Sequence, residues 1–161
     1  VLAQTLRNTG ARVGEVVQLR WRDIGKEQIL FPKSITKRKL KSRELFISES
    51  FHKYLMDWSS YWTIYKGRKP TPEDYVFYGR KEGSHITTRS FQLALQKASL
   101  KAKITGVSSH SYRRTQLTQL HRKQVPLNVI KSLSGHQSLA TLSLYLQVDD
   151  REKREASKLF A

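Results

Sequence analysis

The chain has 161 residues, enough to bury a hydrophobic core without covalent staples, and its 38% apolar content suits a globular protein. It contains no cysteine, which excludes disulfides and thiolate metal sites; its first residues lack the basic flank and long apolar region of a signal peptide and no apolar run nears the roughly 20 residues of a membrane span, so the cytoplasm or nucleoid is the expected location. Thirty Lys and Arg against 13 Asp and Glu leave a net charge of +17, so a polyanion, nucleic acid first among them, is the expected partner.

Leu2 and Leu6 read as the end of an amphipathic helix closed by Gly10, so the sequence is expected to begin inside an element. A second helix starts at about Arg12 and turns Val13, Val16, Val17 and Leu19 inward. Ile29–Phe31 and Arg43–Ile47 read as short strands, joined by a hairpin tip too basic to be buried that carries Lys33, Lys37, Lys39 and Lys41. From about Glu49 to Tyr65 the residues Phe51, Leu55, Trp58, Trp62 and Tyr65 recur at helical spacing, an inward stripe. After the loop Gly67–Pro72, Tyr75–Tyr78 is expected as a third strand. Thr87 or Thr88 caps a helix to about Lys101, with Phe91, Leu95 and Ala98 on one face.

Ser108 or Ser109 opens a helix from about His110 to Lys123, and Pro126 opens another that ends at Gly135. Ser138 caps a helix carrying Tyr145, and Asp150–Phe160 forms a charged helical tail. The expected fold class is α+β and mainly α-helical, with a small antiparallel three-stranded sheet near the N-terminal part.

Breaking a phosphodiester without a metal requires guanidinium groups for the charged oxygens, a proton for the leaving alkoxide and an acceptor for the nucleophile's proton. A tyrosine phenol suits a reversible reaction, because its phosphodiester conserves the bond energy and rejoining needs no ATP. Arginines, histidines, a hairpin lysine and a tyrosine meet that list here. Carboxylates that could converge on metal ions are few, and no Walker loop or zinc-ligand set is present. Neither metal nor cofactor is expected.

Three motifs stand in order along the chain. They are Thr9-Gly10-Ala11-Arg12-Val13-Gly14-Glu15, then His110-Ser111-Tyr112-Arg113-Arg114, then Ser134-Gly135-His136 with Tyr145 nine residues beyond. Singly, each has an ordinary reading: a solvated arginine, a generic phosphate contact, a helix-ending histidine, a packing tyrosine. Together, over residues 1 to about 150, they resemble the catalytic domain of the tyrosine recombinases, the phage integrase family.

The resemblance implies that Arg12 and Arg113 clamp a scissile phosphate. His110 would bond the same phosphate and help move the phenol proton, His136 would add a donor, and Tyr145 would form a 3′-phosphotyrosyl link. A hairpin lysine would be the general acid for the 5′ oxygen. Lys37 is assigned, with Lys39 next. Lys39, Lys41, Arg43 and Arg114 are expected to touch DNA, and Glu15 to orient Arg12 or pin its helix. Two departures from the family are Arg114, where many relatives carry histidine, and Ser134-Gly135 in place of the commoner Leu-Gly.

The implied partner is double-stranded DNA, bound by a homotetramer whose C-terminal tails dock on neighbours, with the isolated domain monomeric. Residues 1–161 are read as one catalytic domain. Nothing in them fits the family's N-terminal core-binding domain, so a piece of a longer protein is expected. Two other readings stand open. One is a non-catalytic, sequence-specific DNA-binding domain with a helix-turn-helix at His121–His136; the other is relaxation of DNA in the manner of a type IB topoisomerase.

Overall fold

The computed structural model describes residues 1–36, 41–146 and 150–160, the side chain of Arg151 excepted. Two compact units divide the chain, Val1–Gln116 and Leu117–Ala161.

In the first unit α1 (Leu2–Thr9) buries Leu2, Thr5, Leu6 and Thr9, one face of an amphipathic helix. Gly10 ends it in the left-handed region, φ 59°, with its N–H on the Leu6 carbonyl. The next helix is shorter than expected. α2 covers only Val13–Val16, because the following backbone turns to other partners. The Leu19 carbonyl accepts from Val76 N at 2.9 Å, and Trp21 N donates to the Asp74 carbonyl at 3.0 Å. Val16, Val17 and Leu19 are nevertheless buried as their spacing predicts, while Val13 is half-buried.

β1 (Gln28–Phe31) and β2 (Arg43–Phe46) pair antiparallel, with Ile29 opposite Leu45 and Phe31 opposite Arg43. Alternation places Ile29, Phe31 and Leu45 on the buried face. Among the described residues the sheet has two strands, not the three expected. Tyr75–Tyr78 makes only isolated bridges, Tyr75 with Arg20 and Tyr78 with His85. Its hydrogen bonds go to scattered partners: Val76 N to Leu19 O, Ile86 N to Phe77 O, and Gly79 N to Ser84 O. A ladder needs successive bridges to one neighbour, and this segment makes a single bridge to each of two. Val76 and Phe77 are buried all the same.

α3 (Glu49–Lys66) is capped by Ser48, whose hydroxyl accepts from Phe51 N, and closes on Gly67 at φ 70°. Phe51, Leu55 and Trp62 are buried, and half-buried Trp58 donates its indole N–H to Val76 O at 2.8 Å. Tyr65 departs from the predicted stripe: it is 64% exposed and stacks on Tyr78 at 5.1 Å between ring centres. Thr87 caps α4 (Thr88–Lys101), which buries Phe91, half-buries Leu95 and leaves Ala98 exposed. α5 (Ser109–Arg122) supplies residues to both units.

The second unit is helical. α6 (Leu127–Ser134) follows Pro126 and ends at Gly135 in the left-handed region, φ 68°. Ser138 caps α7 (Leu139–Ser143), and α8 (Asp150–Ser157) leads into a 3-10 turn at Lys158–Phe160. Leu117, Ile130 and Leu142 form its core, with Leu120, Val125, Tyr145 and Leu146 packed against them. Burying each such aliphatic side chain contributes about 1.5–3 kcal/mol.

Candidate active site

The turn between α1 and α2 sets up the first arginine. Thr9 Oγ1 donates to Thr5 O at 2.6 Å and accepts from Ala11 N at 3.2 Å, which fixes the chain on either side of Gly10. Arg12 then stands at the N-cap of α2. Its backbone N–H donates to Glu15 Oε2 at 3.3 Å and its Nη1 pairs with Glu15 Oε1 at 3.1 Å. Glu15 thus holds both the helix start and the guanidinium, the orienting part expected of it.

A second guanidinium reaches the same carboxylate. Arg43 Nη2 lies 2.8 Å from Glu15 Oε2, and its Cζ sits over the Phe31 ring at 4.8 Å. The Arg43 side chain is 9% exposed and that of Glu15 only 2%. Arg43, expected among the DNA contacts, has its charge turned inward onto Glu15. The reason was present in the strand pattern, because Arg43 is two residues before Leu45 and shares its buried face. Burial pushes the Glu15 carboxyl up, but Arg43 first and Arg12 second outweigh it, so the group is held below its ordinary value and stays ionised.

Arg113, from α5, is 1% exposed and donates from Nη1 to the Gly10 carbonyl at 2.7 Å. The second arginine is therefore tied to the backbone two residues before the first. His110 lies in the first turn of α5 and is exposed, as is Arg114. The unpaired N–H groups of a helix start favour an anion at that place. Lys41 is exposed, whereas Lys37 and Lys39 lie outside the described residues.

In the second unit the third motif closes on itself. His136 is 8% exposed, its Nδ1 is 2.7 Å from Ser134 Oγ, and its ring centre is 5.0 Å from that of Tyr145. Ser134 Oγ also reaches Lys131 O at 3.2 Å. Both bonds are made at once only when the hydroxyl proton points to Lys131 and His136 Nδ1–H donates to Ser134. Ser134 had shown in the sequence only as a departure from the commoner leucine; its place two residues before a motif histidine was the available clue.

Tyr145 is not on α7 as expected but in the turn just beyond it, with its N–H on Leu142 O at 2.8 Å. Its carbonyl is taken by Thr118 Oγ1 at 3.2 Å, a partner outside α7. The ring is half-buried against the aliphatic core.

A model described as the phage integrase family matches residues 1–152. The chain belongs to that family. Among relatives of this phage integrase chain, a tyrosine recombinase of Thermosipho africanus is 36% identical over 89 residues, covering 54% of this chain and 30% of that one. Transposase A from transposon Tn554 of Staphylococcus aureus is 31% identical over 161 residues, covering 92% of this chain and 44% of that one. The chain therefore spans less than half the length of these relatives. Among solved structures, the XerH site-specific recombinase bound to a palindromic difH substrate, a post-cleavage complex, has a TM-score of 0.81 at 24% identity, covering 99% of this chain and 44% of that one. That likeness establishes the fold as mainly helical with a small antiparallel sheet.

Among the described residues no helix of this integrase-family chain is long and apolar enough to cross a membrane. Nor do three or more His, Asp or Glu side chains gather there as metal ligands would.

Proposed function

We propose that this chain is the catalytic domain of a site-specific DNA recombinase that cuts and rejoins double-stranded DNA through a 3′-phosphotyrosyl intermediate. Tyr145 Oη attacks the phosphorus, the phenolic proton passes towards His110, and the P–O5′ bond breaks as Lys37 protonates the leaving oxygen. Arg12, Arg113 and His136 stabilise the added negative charge, which is the largest demand of such a step. In rejoining, a 5′ hydroxyl attacks the phosphotyrosine and releases Tyr145, with no nucleotide consumed. Lys39, Lys41 and Arg114 supply backbone contacts, which position DNA without reading its sequence. The working assembly is a homotetramer on two duplexes.

The observation that carries this reading is the Tyr145 ring beside His136, 5.0 Å away, with the imidazole itself oriented by Ser134. A phenol next to an oriented donor is the pairing that a transferable phosphate needs.

The test uses a library of nicked, 5′-end-labelled duplexes with a randomised core, the nick trapping any covalent product. Wild-type protein forms a denaturant-resistant DNA adduct, and Tyr145→Phe forms none while still binding the duplexes. An adduct that persists in Tyr145→Phe refutes the assignment.

A further inference from the structure

We propose that Arg43 is a positioning residue for the phosphate-binding guanidinium of Arg12 and acts through Glu15. The inference rests on the function proposed above. One carboxylate stands between two guanidiniums. Its Oε1 takes Arg12 Nη1 at 3.1 Å, while its Oε2 takes Arg43 Nη2 at 2.8 Å and the Arg12 backbone N–H at 3.3 Å.

The partners are not equivalent. The Arg43 side chain is 9% exposed and packed over Phe31, whereas that of Arg12 is 22% exposed. Arg43 therefore presents no charge to a ligand; it neutralises Glu15. Of these three charges one positive charge is left over, and it belongs to the more exposed Arg12. That is the charge available to a phosphate oxygen. Remove Arg43, and Glu15 loses one guanidinium, so its buried negative charge draws more strongly on Arg12. The guanidinium would then be held to its own carboxylate in place of the substrate.

The β1–β2 pairing makes the arrangement structural as well as electrostatic. Arg43 is opposite Phe31 in the ladder, so the strand that leaves the basic hairpin also sets the Glu15 carboxylate. Hairpin and first arginine are thereby linked through one side chain.

The experiment measures adduct formation on the nicked duplex library and duplex affinity separately, for wild type, Arg43→Gln, Arg43→Lys and the double variant Arg43→Gln with Glu15→Gln. Losing a charge-assisted bond made to the reacting arrangement slows the adduct step by about tenfold to a hundredfold in Arg43→Gln, with a much smaller loss of affinity. Arg43→Lys recovers part of the rate, since it restores the charge but not the fork. Adding Glu15→Gln to Arg43→Gln also recovers part of the rate, because the buried negative charge that draws on Arg12 is gone.

Equal losses of rate and affinity in Arg43→Gln would make Arg43 a DNA contact and overturn the inference. So would a double variant no faster than Arg43→Gln. Should Arg43→Gln not fold, Arg43→Lys decides: it must lose rate out of proportion to affinity, and equal losses overturn the inference. A wild-type protein that forms no adduct overturns the proposed function itself, and this inference falls with it.

Discussion

The Glu15 side chain is 2% exposed, and burial alone would drive its carboxyl towards the neutral form. Arg43 and Arg12 reverse the sign, so the folded value lies below the ordinary 4.5. A group shifted downwards stabilises the fold fully above its unfolded value and loses that contribution as pH falls through the folded one. In thermal melts, the stability difference between wild type and Glu15→Gln should therefore be constant above about pH 5 and shrink below it. A difference that grows in acid would mean that burial wins and the carboxylate is not held by its arginines. At this scale the motif residues themselves were legible, because Arg12, His110, Arg113, His136 and Tyr145 carry chemistry in their side-chain type. What Arg43 does was legible only in part. Its even spacing from Leu45 places it on the buried face, where its charge meets Glu15. The bond from Arg113 to the Gly10 carbonyl had no signal in sequence, since it joins residues from distant parts of the chain through a backbone atom.

At the scale of elements, punctuation was the most reliable guide. Gly10, Ser48, Gly67, Thr87, Gly135 and Ser138 all stand at helix ends in the structure, of which Gly10, Thr87, Gly135 and Ser138 were readable as caps. Caps act locally, so local sequence suffices. The third strand and the length of α2 failed for the opposite reason: both depend on where distant backbone N–H groups find partners, and residues 19–21 and 74–76 satisfy one another. Gly10 also offers a prediction, because its carbonyl holds Arg113. Gly10→Ala and Gly67→Ala both force an L side chain into the left-handed region, at φ 59° and 70°. Each should cost roughly 1–2 kcal/mol in urea unfolding. Only Gly10→Ala should also slow adduct formation, since nothing of the candidate site rests on Gly67. Equal slowing in both would show that the Gly10 turn has no special part in the site.

On the scale of the molecule, a net charge of +17 favours a polyanionic partner in general without setting the chemistry. Residues 1–152 belong to the phage integrase family, and under the function proposed above the candidate site supplies the residues for recombination. Order along the chain made the family readable, because three weak motifs at domain-scale separation constrain one another. The hairpin lysine was not separable in the same way: Lys37 and Lys39 share a basic tip, and both lie outside the described residues. Everything proposed for the reaction depends on the Tyr145 phenol becoming bonded to DNA. The most direct measurement is to trap wild-type protein on the nicked duplex library, digest DNA and protein, and locate the attached nucleotide by mass spectrometry. The account predicts a 3′-phosphonucleotide on the peptide that contains Tyr145 and on no other. A nucleotide carried by Tyr112, by a serine or by a histidine would contradict it.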